Sequence, residues 1–387
     1  MIDVPPSPTA GLYIHVPFCK GKCPYCHFYS EPHIERIEEY VTALLKEMSL
    51  YRDSFHDFDT LYFGGGTPSL LQIDQFGSII NGVHQYFKLQ SDSEITVEVN
   101  PADHDLSWYR GLKALGINRI NIGIQSFSDD TLRFLGRRHT ACESVDAIET
   151  ANRAGFTNIG LDLIYGIPGQ TLKAWRETID RALDLKPSHL SCYELTIEAD
   201  TPFEKRKLAG AFSLPDENSQ WTFLTFTSEY LEKAGYIHYE ISNFALNSAS
   251  MSRHNRIYWN RIPYLGLGPA AHSYLGTTRW CNHASVIRYI NDLSQGILPL
   301  SFTEQLSKDQ ILLEDIFLRM RMPEGIELET FNERHGIDFL LKNVTMIDQC
   351  ISEGLLLHNN GRLSPTLKGL SIADRLAFTL YDSLTGR

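Results

Sequence analysis

Cys19, Cys23 and Cys26 fall within eight residues of the stretch HVPFCKGKCPYCHFYS. Three thiols at these spacings stop one short of a closed tetrahedral set. A structural zinc site wants four ligands, commonly as C-x2-C pairs. Three thiolates on one loop suit an iron–sulfur cubane with one iron left without a protein ligand. Gly21 and Pro24 let the backbone bend around such a cluster. Two plainer readings stand beside this one. His15 or His27 could complete a zinc knuckle, or the three could be unligated core cysteines. Lys20 and Lys22 favour thiolates and argue against the second. The other four cysteines, Cys142, Cys192, Cys281 and Cys350, are isolated, and isolated cysteines are usually buried or incidental.

The elements that must position this loop come from six apolar, β-branched runs: LYIHVPF, TLYFGGG, EITVEVNP, INRINIGIQSF, IGLDLIYGIPG and HLSCYELT. Amphipathic stretches such as IERIEEYVTALLKEMSLY and LKAWRETIDRALDL lie between them. Strands alternating with helices predict βαβ units and a parallel sheet. Six units ending near Thr196 predict an α/β fold of partial (β/α)6 TIM-like type rather than a closed eightfold barrel. A doubly wound sheet is the alternative. In either, ligands bind at the C-terminal strand ends. Those ends carry Gly65, Gly66 and Thr67 in YFGGGTP, Glu98 in VEVNP, Gln125 in NIGIQSF, and Asp162 in LDLIYGIPGQ, with Arg137 in LGRRHT. Each alone has a bland reading as a turn, a cap or a solvated charge.

The first unit spans 1–200, and an extension of mixed pattern follows over 201–299. From 300 to 387 helical periodicity surrounds a hairpin at Asn359-Asn360-Gly361, which reads as a small winged-helix-like module. That region has nine Lys and Arg against 13 Asp and Glu from residue 301 on, and the whole chain carries a formal charge of −12. Nucleic-acid binding rests on cations meeting phosphates, so no nucleic-acid partner is expected. The chain has no apolar run of about 18 residues, so no transmembrane segment is expected. MIDVPPSPTAGLY has neither the basic nor the apolar part of a secretory signal. Seven cysteines, three of them clustered, suit a metal site in a reducing cytoplasm better than a disulfide scaffold.

CKGKCPYC, read as C-x3-C-x2-C with an aromatic before the last cysteine, resembles the signature of radical S-adenosylmethionine (SAM) proteins. The resemblance implies a [4Fe-4S] cluster whose open iron is chelated by SAM. It also implies an electron donor to the cluster, and cleavage of the sulfonium to a deoxyadenosyl radical. The strand-end residues follow in the order found in the coproporphyrinogen-dehydrogenase-like branch. There they border SAM, together with Tyr13 and Tyr25. This likeness extends over essentially the whole chain, the C-terminal module included.

Within that branch the chain is more similar to the heme chaperone HemW family than to the oxygen-independent coproporphyrinogen III dehydrogenases. The dehydrogenase motif continues to a further cysteine where this chain has Phe28. Its segment ahead of the cluster is also longer than the 12 residues preceding Tyr13. The chaperone pattern has phenylalanine at that position, usually after an acid, which His27 replaces here. RHNRIYW resembles the chaperones' H-N-x-x-Y-W motif. The likeness implies a heme site at His254, Asn255, Tyr258 and Trp259, with His254 on the iron and Tyr258 and Trp259 against the porphyrin. Taken alone, a histidine beside aromatic residues is more often a hydrogen-bonded core residue. His272 in GPAAHSY is a second candidate, or a brace for the SAM site. The expectation is a cytoplasmic heme-binding radical SAM protein that passes heme to acceptor proteins. The dehydrogenase is the alternative.

Overall fold

The computed structural model describes residues 9–386. Most of the stretch read for a leader falls on the first eight residues, outside those described. Six strands follow the six apolar runs: β1 Ala10–Val16, β2 Asp57–Gly65, β3 Lys88–Val99, β4 Arg119–Gln125, β5 Asn158–Tyr165 and β6 His189–Glu194. They pair in parallel and in sequence order. Helices Ile37–Tyr51, Ile73–Tyr86, Leu106–Ala114, Ala141–Arg153 and Leu172–Asp184 cover the sheet. Each buries one face: Tyr40, Leu44 and Met48 on the first, Phe76, Ile79 and Val83 on the second. That three-and-four spacing is one stripe of an amphipathic helix. Asp105, Thr140 and Thr171 cap three of them by accepting backbone N–H groups.

The extension lengthens the same sheet at both ends. β7 Ile237–Glu240 and β8 Asn243–Ala245 add beyond β6, with β8 antiparallel to it. β9 Tyr264–Leu267 joins β1 in parallel. β10 His272–Leu275, β11 Thr278–Asn282 and β12 Leu300–Gln305 continue antiparallel from β9. The 12 strands leave β12 and β7 as free edges, so the barrel is partial and open, as the sequence predicts. The sheet curls enough that Tyr62 of β2 and Ser191 of β6 line one small cavity.

The last part has a second core of Ile316, Phe331, Phe339, Leu363, Leu376 and Leu380. It combines helices Lys308–Arg319, Leu328–His335, Phe339–Ser352 and Ala373–Thr385 with β13 Ile326–Glu327, β14 Leu356–Asn359 and β15 Arg362–Pro365. The β14–β15 hairpin turns on Asn360 (φ +51°) and Gly361 (φ +73°), the two positive values a type I′ turn needs. Buried Asp315 ties this core to the barrel: it accepts from Arg261 at 3.3 Å and faces Arg334 and His335 at 3.3 and 2.7 Å. Among the described residues no helix is long and apolar enough to cross a membrane.

Candidate functional site: a cysteine loop over a strand-end cavity

The cysteine loop leaves β1 through Pro17 and Phe18. Phe18 is buried with its ring edge-on to Tyr40 at 5.5 Å, which anchors the loop's entry. The Cys19 N–H donates to the Glu31 carbonyl (3.0 Å) and the Glu31 N–H to Pro17 (2.8 Å), closing the base. The three thiols are free and partly exposed. Cys19 Sγ lies 3.1 Å from Thr67 Oγ1, and Arg137 Nη1 donates toward Cys23 Sγ at 3.7 Å. Outside the loop Asp103 acts as a clasp. Lys20 on the loop and Arg138 beside Arg137 both reach its carboxylate, at 3.3 and 3.1 Å, and Asn100 Nδ2 donates to it at 3.0 Å.

The glycine turn after β2 meets this loop from below. A Cβ on Gly66 would stand 2.7 Å from the Phe18 carbonyl oxygen and 2.8 Å from that of Val16, so only glycine allows the approach. Gly65, at φ +105°, lies against the His15 ring. His15 donates from Nε2 to the Tyr29 carbonyl (2.8 Å) and faces the Tyr13 hydroxyl with Nδ1 (3.3 Å). Burial lowers its pKa to about 4, so it is a neutral brace. Sequence reasoning weighed His15 only as a zinc ligand. Its place two residues beyond Tyr13 on an inward-facing strand register was the signal for this role.

A cavity of about 440 Å³ opens across the strand ends. Its wall brings together Tyr25, Cys26, Gly65, Gly66, Thr67, Glu98, Gln125, Arg137 and Asp162, with Phe28 and Tyr193. Gln125 takes φ +66° at a register shift of β4 against β5, which re-aims its side chain. Arg137 Nη2 donates to Asn100 Oδ1 (2.8 Å) and to the Gly123 carbonyl (2.7 Å). Glu98 accepts from the Tyr62 hydroxyl at 2.8 Å, and burial raises its pKa to about 7, with the Asp162 charge adding to the rise. Asp162 accepts from Asn121 (2.7 Å) through one oxygen, while its other oxygen is buried without a hydrogen-bond partner among the described residues. Buried polar groups are ordinarily satisfied, so an unspent acceptor facing a cavity suits a polar ligand.

Tyr13 does not line this cavity. It lies below, against Tyr62 and His254 with ring centroids 6.1 Å apart in each case. His254 is sealed there, at 1% exposure. Its Nδ1 is 2.7 Å from Thr60 Oγ1 and its Nε2 is 2.8 Å from the Tyr258 hydroxyl. A neutral imidazole has one donor and one acceptor, and both are used. Burial lowers the His254 pKa to about 3, and its ring stacks on Tyr62 at 4.8 Å. The RHNRIYW stretch forms a short helix, Arg253–Trp259, capped by Ser252, that closes the lower end of the barrel. Asn255 faces a 50 Å³ interior void with Glu98 and Asp162. Trp259 faces the C-terminal part, with Arg321 6.0 Å from its ring. His254 is thus buried, while Asn255, Tyr258 and Trp259 are partly buried and face different neighbours. His272 is exposed on β10, edge-on to Phe302 at 5.9 Å, away from the cavity wall. Cys142 is exposed, and Cys192, Cys281 and Cys350 are buried.

Comparison with known proteins gives a consistent picture. Residues 13–182 match the radical SAM superfamily and residues 306–372 the HemN C-terminal domain. The chain is 35% identical over 360 residues to the heme chaperone HemW of Bacillus subtilis, covering 90% of this chain and 93% of that one. It is 33% identical to the heme chaperone HemW of Synechocystis, covering 96% and 92%. Among solved structures, coproporphyrinogen III oxidase (HemN) from Escherichia coli superposes with a TM-score of 0.84 at 22% identity, covering 97% of this chain and 90% of that one. At that identity the likeness concerns the fold.

Proposed function

The chain belongs to the heme chaperone HemW family, a branch of the radical SAM superfamily, and from that premise we propose that it carries heme to acceptor proteins while holding a SAM-ligated [4Fe-4S] cluster. Cys19, Cys23 and Cys26 would hold the cluster through three thiolates, leaving SAM to complete it from the cavity alongside. The observation that carries this reading is one cavity wall shared by Cys26, the glycine turn, Glu98, Gln125, Arg137 and Asp162. Held there, the cluster would supply an electron and SAM a cleavable sulfonium. The chain's own residues do the holding. Gly65 and Gly66 bring backbone close to the ligand, Glu98 and Asp162 offer acceptors to a cation, and Arg137 keeps a positive charge beside Cys23. Tyr25 closes the wall next to Cys26. A reducing compartment such as the cytoplasm keeps the thiols free. Its partners are heme acceptors and a reductant for the cluster.

The dehydrogenase reading takes the same fold and differs in outcome. Anaerobic reconstitution of wild type and Cys23→Ala separates them. The wild type is expected to show cluster absorbance and bind heme, and to leave coproporphyrinogen III unconverted with SAM and a reductant. Cys23→Ala is expected to lose the cluster entirely. Formation of protoporphyrinogen would reverse the assignment, and a colourless wild type would remove the cluster from it.

A further inference from the structure

A heme-binding chain needs a side chain that reaches the iron with an unspent lone pair, and imidazole is a common one. Of the 14 histidines, His15, His139, His189, His238 and His254 are buried. His254 in particular spends both ring nitrogens on Thr60 and Tyr258. Among the described residues, only His27 of the others stands next to residues that line the cavity, with Cys26 before it and Phe28 after it. It is exposed, and it links those two residues without itself lining the cavity.

We infer that His27 is the axial ligand of the heme cargo, bound at the mouth of the strand-end cavity. The inference rests on the heme-carrier reading above and gives it a site. Three features of the rim match what an iron porphyrin needs. Phe28 is 65% exposed, a large apolar ring turned mostly to solvent beside the proposed ligand. Such a ring offers flat contact area to a porphyrin face. Lys22 is exposed on the same loop, five residues before His27. It has no carboxylate partner among the described residues, which leaves its ammonium for a propionate. Ligand, apolar face and cation therefore fall within residues 22–28.

Space points the same way. Pockets of about 300–1,000 Å³ hold a single drug-sized ligand. At about 440 Å³ this cavity is near the small end, so SAM inside it leaves a porphyrin only the mouth. The sequence motif at His254 offers no comparable opening, because its helix is packed under β1 and β2.

The test uses the anaerobically reconstituted full chain, wild type and His27→Ala, titrated with iron protoporphyrin IX and with metal-free protoporphyrin IX. His27 is exposed, so the variant is expected to keep its fold and its cluster, checked by circular dichroism and iron content. Wild type is expected to show histidine-ligated heme by electron paramagnetic resonance. His27→Ala is expected to lose that signal and bind heme at least tenfold more weakly. The metal-free porphyrin, which has no iron to ligate, is expected to bind both proteins equally. Heme affinity within twofold of wild type with an unchanged signal in His27→Ala would overturn the inference and leave the carrier reading intact. A wild type that holds its cluster and binds no heme would overturn both.

Discussion

Two short motifs at opposite ends of the barrel each carry a histidine, and their surroundings are opposite. At the upper end, His27 sits on an exposed loop between two cavity-lining residues. At the lower end, His254 is sealed under the sheet, bonded through both ring nitrogens and stacked on Tyr62. The motif RHNRIYW draws attention because His, Tyr and Trp are types that ligate and stack. The same types also build packing beneath a sheet, with the Trp259 indole N–H left without a partner among the described residues. Which they do depends on whether any valence is left over, and at His254 none is. The heme site proposed above rests on groups the fold has not already used, those around the cysteine loop.

The largest effect that would sharpen this contrast comes from His254→Ala. The change deletes a buried ring and strips Thr60 and Tyr258 of their partner. Aromatic-to-alanine changes in cores cost about 3–5 kcal/mol, and orphaned buried hydrogen-bonding groups add to that. Stability is expected to fall by about 3 kcal/mol, read from the denaturant midpoint. His27→Ala, on an exposed loop, is expected to stay within about 0.5 kcal/mol of wild type. A stable His254→Ala protein that has lost heme ligation would turn the comparison upside down.

This contrast also marks where the sequence is legible. The six parallel strands could be read because each buried run is apolar and β-branched and ends in a glycine, proline or polar turn. Glu98, Gln125 and Asp162 were findable because strand ends in such folds face a common site. The strands that widen the sheet were not. β8 has three residues and β7, β9 and β10 have four, too short for a periodicity to declare itself. Tyr62 was also missed, although TLYFGGG was read as a strand. Its register with Tyr13 of β1 points it inward beside Glu98. Only the pairing of strands brings Tyr62, Glu98 and His254 into one column, and no local spacing encodes that.

Through that column the two ends touch, which gives a smaller, pH-dependent effect. Burial raises Glu98 from its ordinary 4.5 to about 7, and the groups facing it include Tyr62, Asp162 and the Gly65 backbone. Between those values the folded chain holds a proton that the unfolded chain has lost. The stability of the ligand-free protein from this residue therefore falls as pH rises across that window. A cationic ligand favours the ionised form and reverses the preference. SAM affinity is expected to weaken up to about tenfold per pH unit below 7, since one unit corresponds to about 1.4 kcal/mol. Glu98→Gln is expected to bind more weakly throughout and to show no such slope. Calorimetric titration at pH 6, 7 and 8 measures both. An equal slope in the variant would move the titration to another group.

The smallest effect probes why the upper end can be exposed and still ordered. Asp103 is almost fully buried, yet its partners Lys20 and Arg138 are 46% and 36% exposed. Exposed cations screen such pairs, so each is worth at most about 1 kcal/mol. Asp103→Asn keeps the shape and the Asn100 contact and removes the charge. Global stability is expected to change by less than about 1 kcal/mol. Lys20 is the one loop side chain on this carboxylate, beside the Phe203 N–H bond to the Pro24 carbonyl (3.0 Å) and the Arg137 contact to Cys23, so the loss concentrates where the cluster sits. A local cost of about 1 kcal/mol is roughly a fivefold change in the population of the opened loop. A chelator is expected to strip iron from Asp103→Asn about fivefold faster than from wild type. Raising wild type to 1 M salt, where charges are screened within about 3 Å, is expected to close part of that gap. Equal stripping rates at low salt would mean that the backbone bonds from Cys19 and Glu31 hold the loop without the clasp. The exposed end would then owe its order to backbone bonds, and the lower end to the side-chain bonds of His254.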